Sequence, residues 1–185
     1  MQRGISTILT DSLKAALEVL NGNRIPYALM GGMALQVWGR PRSTRDIDIS
    51  VGLDDLTPEE FISLVGRSGF SFRDSRTLGE SMLIRFERRD GPTGIDVEID
   101  FFTAGTEYQR RAIERAIAIE LRGMPIKVVA PEDLIIQKLA AGRVIDEYDA
   151  RELAKDQSGT LDWAYLNDCG ALLGIEDKIS ALCPA

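Results

Sequence analysis

Histidine is absent from this 185-residue chain, and cysteine occurs only as Cys169 and Cys183. The first absence excludes Ser-His-Asp triads, histidine general bases and histidine-bearing zinc sites, so catalysis would have to run on carboxylates, lysine, arginine, hydroxyls or metal ions. The two cysteines are expected to be buried apolar thiols rather than a disulfide framework. No apolar run approaches the roughly 20 residues of a bilayer span, and the opening MQRGISTILTDS has no signal-peptide apolar region. The expectation is a cytoplasmic protein with no membrane part.

Apolar residues make up 44% of the chain, enough for one sizeable core or a main domain carrying a small helical appendage. The formal charge of −7 argues against a surface that coats nucleic acid and leaves room for a local basic groove. Basic residues do cluster: Arg40, Arg42 and Arg45 stand directly before a pair of aspartates, and Arg110, Arg111 and Arg115 form a second group. A solvated face accounts for the second group.

The hydrophobic pattern predicts an α/β (α+β) chain. Leu13, Ala16, Leu17 and Leu20 recur at helical spacing over 10–21, and Asn21 and Gly22 stop that helix. IPYALMGG reads as a short buried strand running into glycines, followed by a helical MALQVWG. Thr57, Pro58 and Glu60 open a helix with a capping box that ends near Gly66. SMLIRFERRD and GIDVEIDFFTA are expected to pair antiparallel across DGPTG, and AIAIELRGMPIKVVA to form two short strands around Arg122 and Gly123. PEDLIIQKLAAG starts a helix at Pro131, and the chain is helical again from Asp146. The organisation expected is a core over 1–130 and a C-terminal helical region over 131–185.

The chemistry-bearing residues sit where these elements meet. Gly31 and Gly32 lie between a strand and a helix, where missing side chains let a bulky anion approach the backbone and the helix N-terminus. A Gly-Gly pair also serves as a plain tight turn. In the strand after them, Asp46 and Asp48 share one face while Ile47, Ile49 and Val51 share the other. Two carboxylates with Cα atoms roughly 6.5–7 Å apart suit divalent cations, Mg²⁺ above all for hard oxygen ligands. Pairing with Arg42 and Arg45, or plain solvation, would equally account for them. IDVEIDFF places Asp96, Glu98 and Asp100 on a single face, a repulsive arrangement unless Arg85, Arg88 or Arg89 neutralises those nearest the turn. Asp100, farthest from the turn, is expected to meet something other than those arginines. Lys138 falls on or beside the apolar stripe of its helix, where it either snorkels or meets an anion such as a triphosphate.

The order strand, Gly31-Gly32, helix, Asp46-Ile47-Asp48-Ile49, and a later Asp100 resembles the nucleotidyltransferase fold of the DNA polymerase beta superfamily. More narrowly, YALMGGMALQVWGRPRSTRDIDISV, EIDFFTA and APEDLIIQKLAAGRVIDEYDARELA are similar to the AbiEii abortive-infection toxin family, over most of residues 25–155. The resemblance implies a mixed sheet flanked by helices and transfer of a nucleoside monophosphate from an NTP to a hydroxyl acceptor, using two Mg²⁺ ions. It implies Asp46, Asp48 and Asp100 as metal ligands, with Asp100 also as base, and Gly31 and Gly32 around the β/γ-phosphates. Lys138 matches a lysine that contributes to activity in this family, and Arg143, Asp146 and Asp149 resemble the basic-acidic stretch behind it. Gly32 stands where many relatives use serine. Arg45 is a candidate for charge stabilisation, although it faces away from the aspartates on an extended strand. RNA, tRNA in particular, is the acceptor the family suggests, and an antitoxin protein the partner. A small-molecule or protein nucleotidyltransferase, and a silent nucleotide-binding module on the same fold, are the competing functions.

Overall fold

The computed structural model describes residues 7–40, 43–89 and 94–182. Arg42, Cys183 and most of the DGPTG turn lie outside these. Along the chain, α1 (Thr7–Gly22), β1 (Tyr27–Met30), α2 (Gly31–Val37), β2 (Asp46–Val51) and α3 (Pro58–Arg67) come first. Then follow β3 (Ser71–Leu78), β4 (Ser81–Arg89), β5 (Asp96–Thr103), α4 (Glu107–Glu114), β6 (Ile117–Leu121) and β7 (Met124–Val128). Four helices close the described chain: α5 (Pro131–Ala141), α6 (Val144–Asp156), α7 (Trp163–Leu173) and α8 (Glu176–Ser180).

The strands form one mixed sheet in the order β3-β4-β5-β2-β1-β7-β6. β2 runs parallel to β5, and β1 parallel to β7; the remaining neighbours are antiparallel. Alternation sorts the central strands as the sequence predicts. Ile47, Ile49 and Val51 of β2 and Val97, Ile99 and Phe101 of β5 are buried. Phe61 of α3 meets Phe101 edge-on at 5.2 Å between centroids, and Phe86 of β4 meets it at 5.8 Å. Each such buried ring stabilises the fold by roughly 1.5–3 kcal/mol. The acids of β2 and β5 are thereby left on the opposite face.

Turns and caps follow from particular residues. Thr57 and Glu60 form the reciprocal capping box that starts α3, with Pro58 in the first turn. Arg122 and Gly123 both have positive φ, 52° and 80°, which is what a tight two-residue hairpin between β6 and β7 needs. A second capping box, Thr106 with Gln109, starts α4. Among the described residues no helix is long and apolar enough to cross a membrane, and Cys169 is a free, buried thiol.

The second arginine group is not a solvated face throughout. Arg111 does pair in the exposed i,i+4 manner with Glu107. Arg115, however, turns inward: its Nε donates to Asp133 at 3.2 Å and its guanidinium stacks 3.8 Å from the Tyr165 ring centroid. Asp133 is fully buried and also accepts from the Tyr165 hydroxyl at 2.6 Å. One carboxylate thus ties α4, α5 and α7 together. Arg115→Ala leaves that carboxylate without its cation, and urea unfolding should show a loss of roughly 3 kcal/mol; a loss under about 1 kcal/mol would mean the pair behaves like a surface contact.

Candidate active site

Two strands, β2 and β5, deliver the acids. In the parallel pairing of β2 with β5, Asp46 lies beside Glu98 and Asp48 beside Asp100. Neighbouring strands are only about 4.8 Å apart, so carboxylates that are distant in sequence crowd on one face. Burial first, then the charges of Asp46 and Asp100, push the Asp48 carboxyl up to about 7, against the pull of Lys138 and Arg143. Thr44 donates its hydroxyl to Asp46 and so orients that carboxylate.

The glycine pair is explained by the same acids. β1 runs antiparallel to β2 with Met30 opposite Asp48, so the chain leaves β1 against that side chain. Gly31 has φ +65°, and a Cβ there would stand 1.9 Å from Oδ2 of Asp48. A Cβ on Gly32 would stand 2.8 Å from Oγ1 of Thr44. The two glycines therefore let the β1–α2 corner close onto Asp48 and onto the residue that holds Asp46.

Basic groups come from α5 and the start of α6. Lys138 is buried, so it does not snorkel. Its ammonium donates to Asp146 at 2.6 Å and lies 3.2 Å from Asp149. Arg143, the residue before α6, donates through Nε to Asp146 and through Nη2 at 3.2 Å, and it also feels the charges of Asp48 and Asp46. Burial alone would raise the Asp146 carboxyl, but the bonds from Arg143 and Lys138 outweigh it and hold the group below its ordinary range. Asp146 and Asp149 thus fix two cations whose fields reach Asp48.

The β4–β5 hairpin corrects one expectation. Asp100 does not escape the arginines: Arg85 donates to it through Nε and Nη2, both at 2.8 Å. Arg89 faces Asp96 next to the turn, and four residues outward on each strand bring Arg85 opposite Asp100. Distance from the turn was a poor guide because a register carries arginine and aspartate outward together. Glu98 is the second acid near Arg85, at 3.4 Å. Arg45 is exposed, and among the described residues it pairs with none of the site's acids. The site therefore gathers Asp46, Asp48, Asp100, Lys138, Gly31 and Gly32, adds Arg85, Thr44 and Arg143, and leaves Arg45 at its edge.

Asp46 and Asp48 suit a hard divalent cation. They are adjacent, acceptor-only when ionised, and charged enough to repel one another. Among the described residues no three acids are arranged to hold a metal ion, and both carboxylate oxygens of Asp100 are taken by Arg85.

Solved structures share this fold. An antigenic nucleotidyltransferase-like protein from Paracoccidioides brasiliensis superposes with a TM-score of 0.62 at 20% identity, over 97% of this chain and 94% of that one. ANT(2")-Ia, solved in complex with adenylyl-2"-tobramycin, gives 0.57 at 16% identity, over 95% and 97%. The lincosamide antibiotic adenylyltransferase LnuA, solved with lincomycin bound, gives 0.52 at 14% identity, over 82% and 98%. No curated protein matches the chain in sequence. Residues 15–158 match the family described as "Nucleotidyl transferase AbiEii toxin, Type IV TA system", a span that holds every acid and cation of the site, and the chain belongs to that family.

Proposed function

We propose that this chain transfers a nucleoside monophosphate from an NTP to a hydroxyl on RNA, in a Mg²⁺-dependent reaction, as the toxin of a type IV toxin–antitoxin pair in the cytoplasm. The observation that carries it is the acid face itself: Asp48 wedged between Asp46 and Asp100 with Gly31 packed on its carboxyl. Residues that merely faced water would not be crowded to the point of raising a carboxyl to about 7.

In this reading the acceptor oxygen attacks the α-phosphorus, the bond to the bridging oxygen of the β-phosphate breaks, and pyrophosphate leaves. The acceptor's proton passes to the acid face, to Asp100 in the family pattern. Asp46 and Asp48 would hold Mg²⁺, which supplies Lewis-acid stabilisation of the phosphoryl oxygens. Lys138 and Arg143 place fixed positive charge opposite the acids, where negative charge builds on the transferring group. In the family pattern the backbone at Gly31 and Gly32 would meet the β/γ-phosphates through its N–H groups. The tRNA acceptor and the antitoxin partner rest on the family resemblance alone.

The test is incubation of the purified protein with Mg²⁺, total RNA and each labelled NTP in turn, beside Asp46→Asn. Label on RNA with the wild type, lost with the variant, is the expected result and identifies the base. Label on protein or on a small molecule instead would overturn the RNA acceptor, and absence of metal-dependent NTP binding would overturn the enzyme.

A further inference from the structure

We propose that Arg85 is a positioning residue that competes with the divalent cation for Asp100, so that the acid face takes one ion at Asp46 and Asp48 and a second only after Arg85 crosses to Glu98. The inference rests on the metal-dependent reading above. Both oxygens of Asp100 are engaged by the two-pronged contact from Arg85, and Asp100 is only 5% exposed. A forked guanidinium on a buried carboxylate is a strong, geometrically specific interaction. An ion that needs Asp100 must displace it, not merely join it.

The displaced arginine has somewhere to go. Glu98 is two residues along the same face of β5, with its carboxylate already 3.4 Å from Nε of Arg85. Arg85 already touches this second carboxylate, which can take the guanidinium when Asp100 gives it up. On the other side, Asp74 of β3 is the cross-strand partner of Arg85 and adds to the field that keeps the guanidinium over this face. Arg85 can slide between two carboxylates without leaving the sheet, and the charge it vacates at Asp100 is the charge a second Mg²⁺ would restore.

Titration calorimetry of Mg²⁺ into the full chain tests this, on wild type, Arg85→Gln, Arg85→Lys and Glu98→Gln. Arg85→Gln should take up a second ion on the order of tenfold more tightly than wild type, because the buried charge of Asp100 is then left for the metal. Arg85→Lys, which keeps the charge but loses the fork, should fall between them. Glu98→Gln should bind the second ion more weakly than wild type, since Arg85 has lost its other partner. Should Arg85→Gln be poorly folded without metal, its melting temperature should rise more with Mg²⁺ than that of wild type; if it stays unfolded at every Mg²⁺ concentration, the Arg85→Lys titration decides. Wild type binding two ions as tightly as Arg85→Gln, or Arg85→Lys matching wild type, would overturn the inference and leave the metal-dependent reading standing. No Mg²⁺ binding by any of the four proteins would overturn both.

Discussion

Asp48→Asn is expected to abolish nucleotide transfer and, in the same molecule, to make the fold more stable. The two effects share one cause. Asp48 is held between Asp46 and Asp100, and burial together with those like charges already works against its ionised form. Asparagine keeps the shape and removes the charge, so without added metal, thermal or urea unfolding should show a gain of about 1 kcal/mol. Transfer should fall on the order of 10³-fold, because an amide is a poor ligand for a hard cation and carries no negative charge to balance it. A residue placed for stability would show the opposite sign. Full activity in Asp48→Asn, or a variant less stable than wild type with activity retained, would remove Asp48 from the reacting centre.

Much of the fold and of the acid face was legible because alternation is a local rule. Ile47, Ile49 and Val51 had to be buried, so Asp46 and Asp48 had to share the other face, and the same logic sorted Asp96, Glu98 and Asp100 from Val97, Ile99 and Phe101. β3 was missed for the matching reason. As an edge strand with every residue of SFRDSRTL exposed, it shows no burial pattern for a sequence to record. α4 was missed although its signal was present, since Thr106 and Gln109 have the capping-box spacing and only a short, strongly polar helix follows. Long-range pairing is the part that no local pattern encodes. Nothing within β2 or β5 says that they run side by side in parallel, and that neighbourhood is what sets Asp48 beside Asp100. The register of β4 on β5 was closer to hand, because the Arg89 and Asp96 pair at the turn already implies Arg85 opposite Asp100. The partners of Lys138 came from the helix after its own, again a tertiary fact.

Gly31→Ala should cost both stability and activity, because the added methyl meets the carboxylate at the centre of the acid face. At φ +65° an L side chain is strained by roughly 1–2 kcal/mol, and the new Cβ would fall 1.9 Å from Oδ2, 2.7 Å from Cγ and 2.9 Å from Cβ of Asp48. Something has to move, and what moves is the carboxylate the reaction depends on. A displacement near 1 Å can cost about 10²-fold in rate, so kcat should drop by that order even where the variant remains folded at the assay temperature. Gly32→Ala is the comparison, with no positive φ and a contact to the Thr44 side chain rather than to Asp48. It should cost less in both respects. The decisive measurement is a double-mutant cycle on stability with Asp48→Ala. Removing the carboxylate abolishes the two closest contacts, so in that background Gly31→Ala should cost only the backbone strain and the remaining 2.9 Å approach to Cβ of residue 48, and the coupling should reach about 1 kcal/mol or more. A penalty that is the same in both backgrounds would mean that Gly31 answers only to the turn, and that the close fit of the β1–α2 corner on Asp48 does nothing to hold the reacting carboxylate in place.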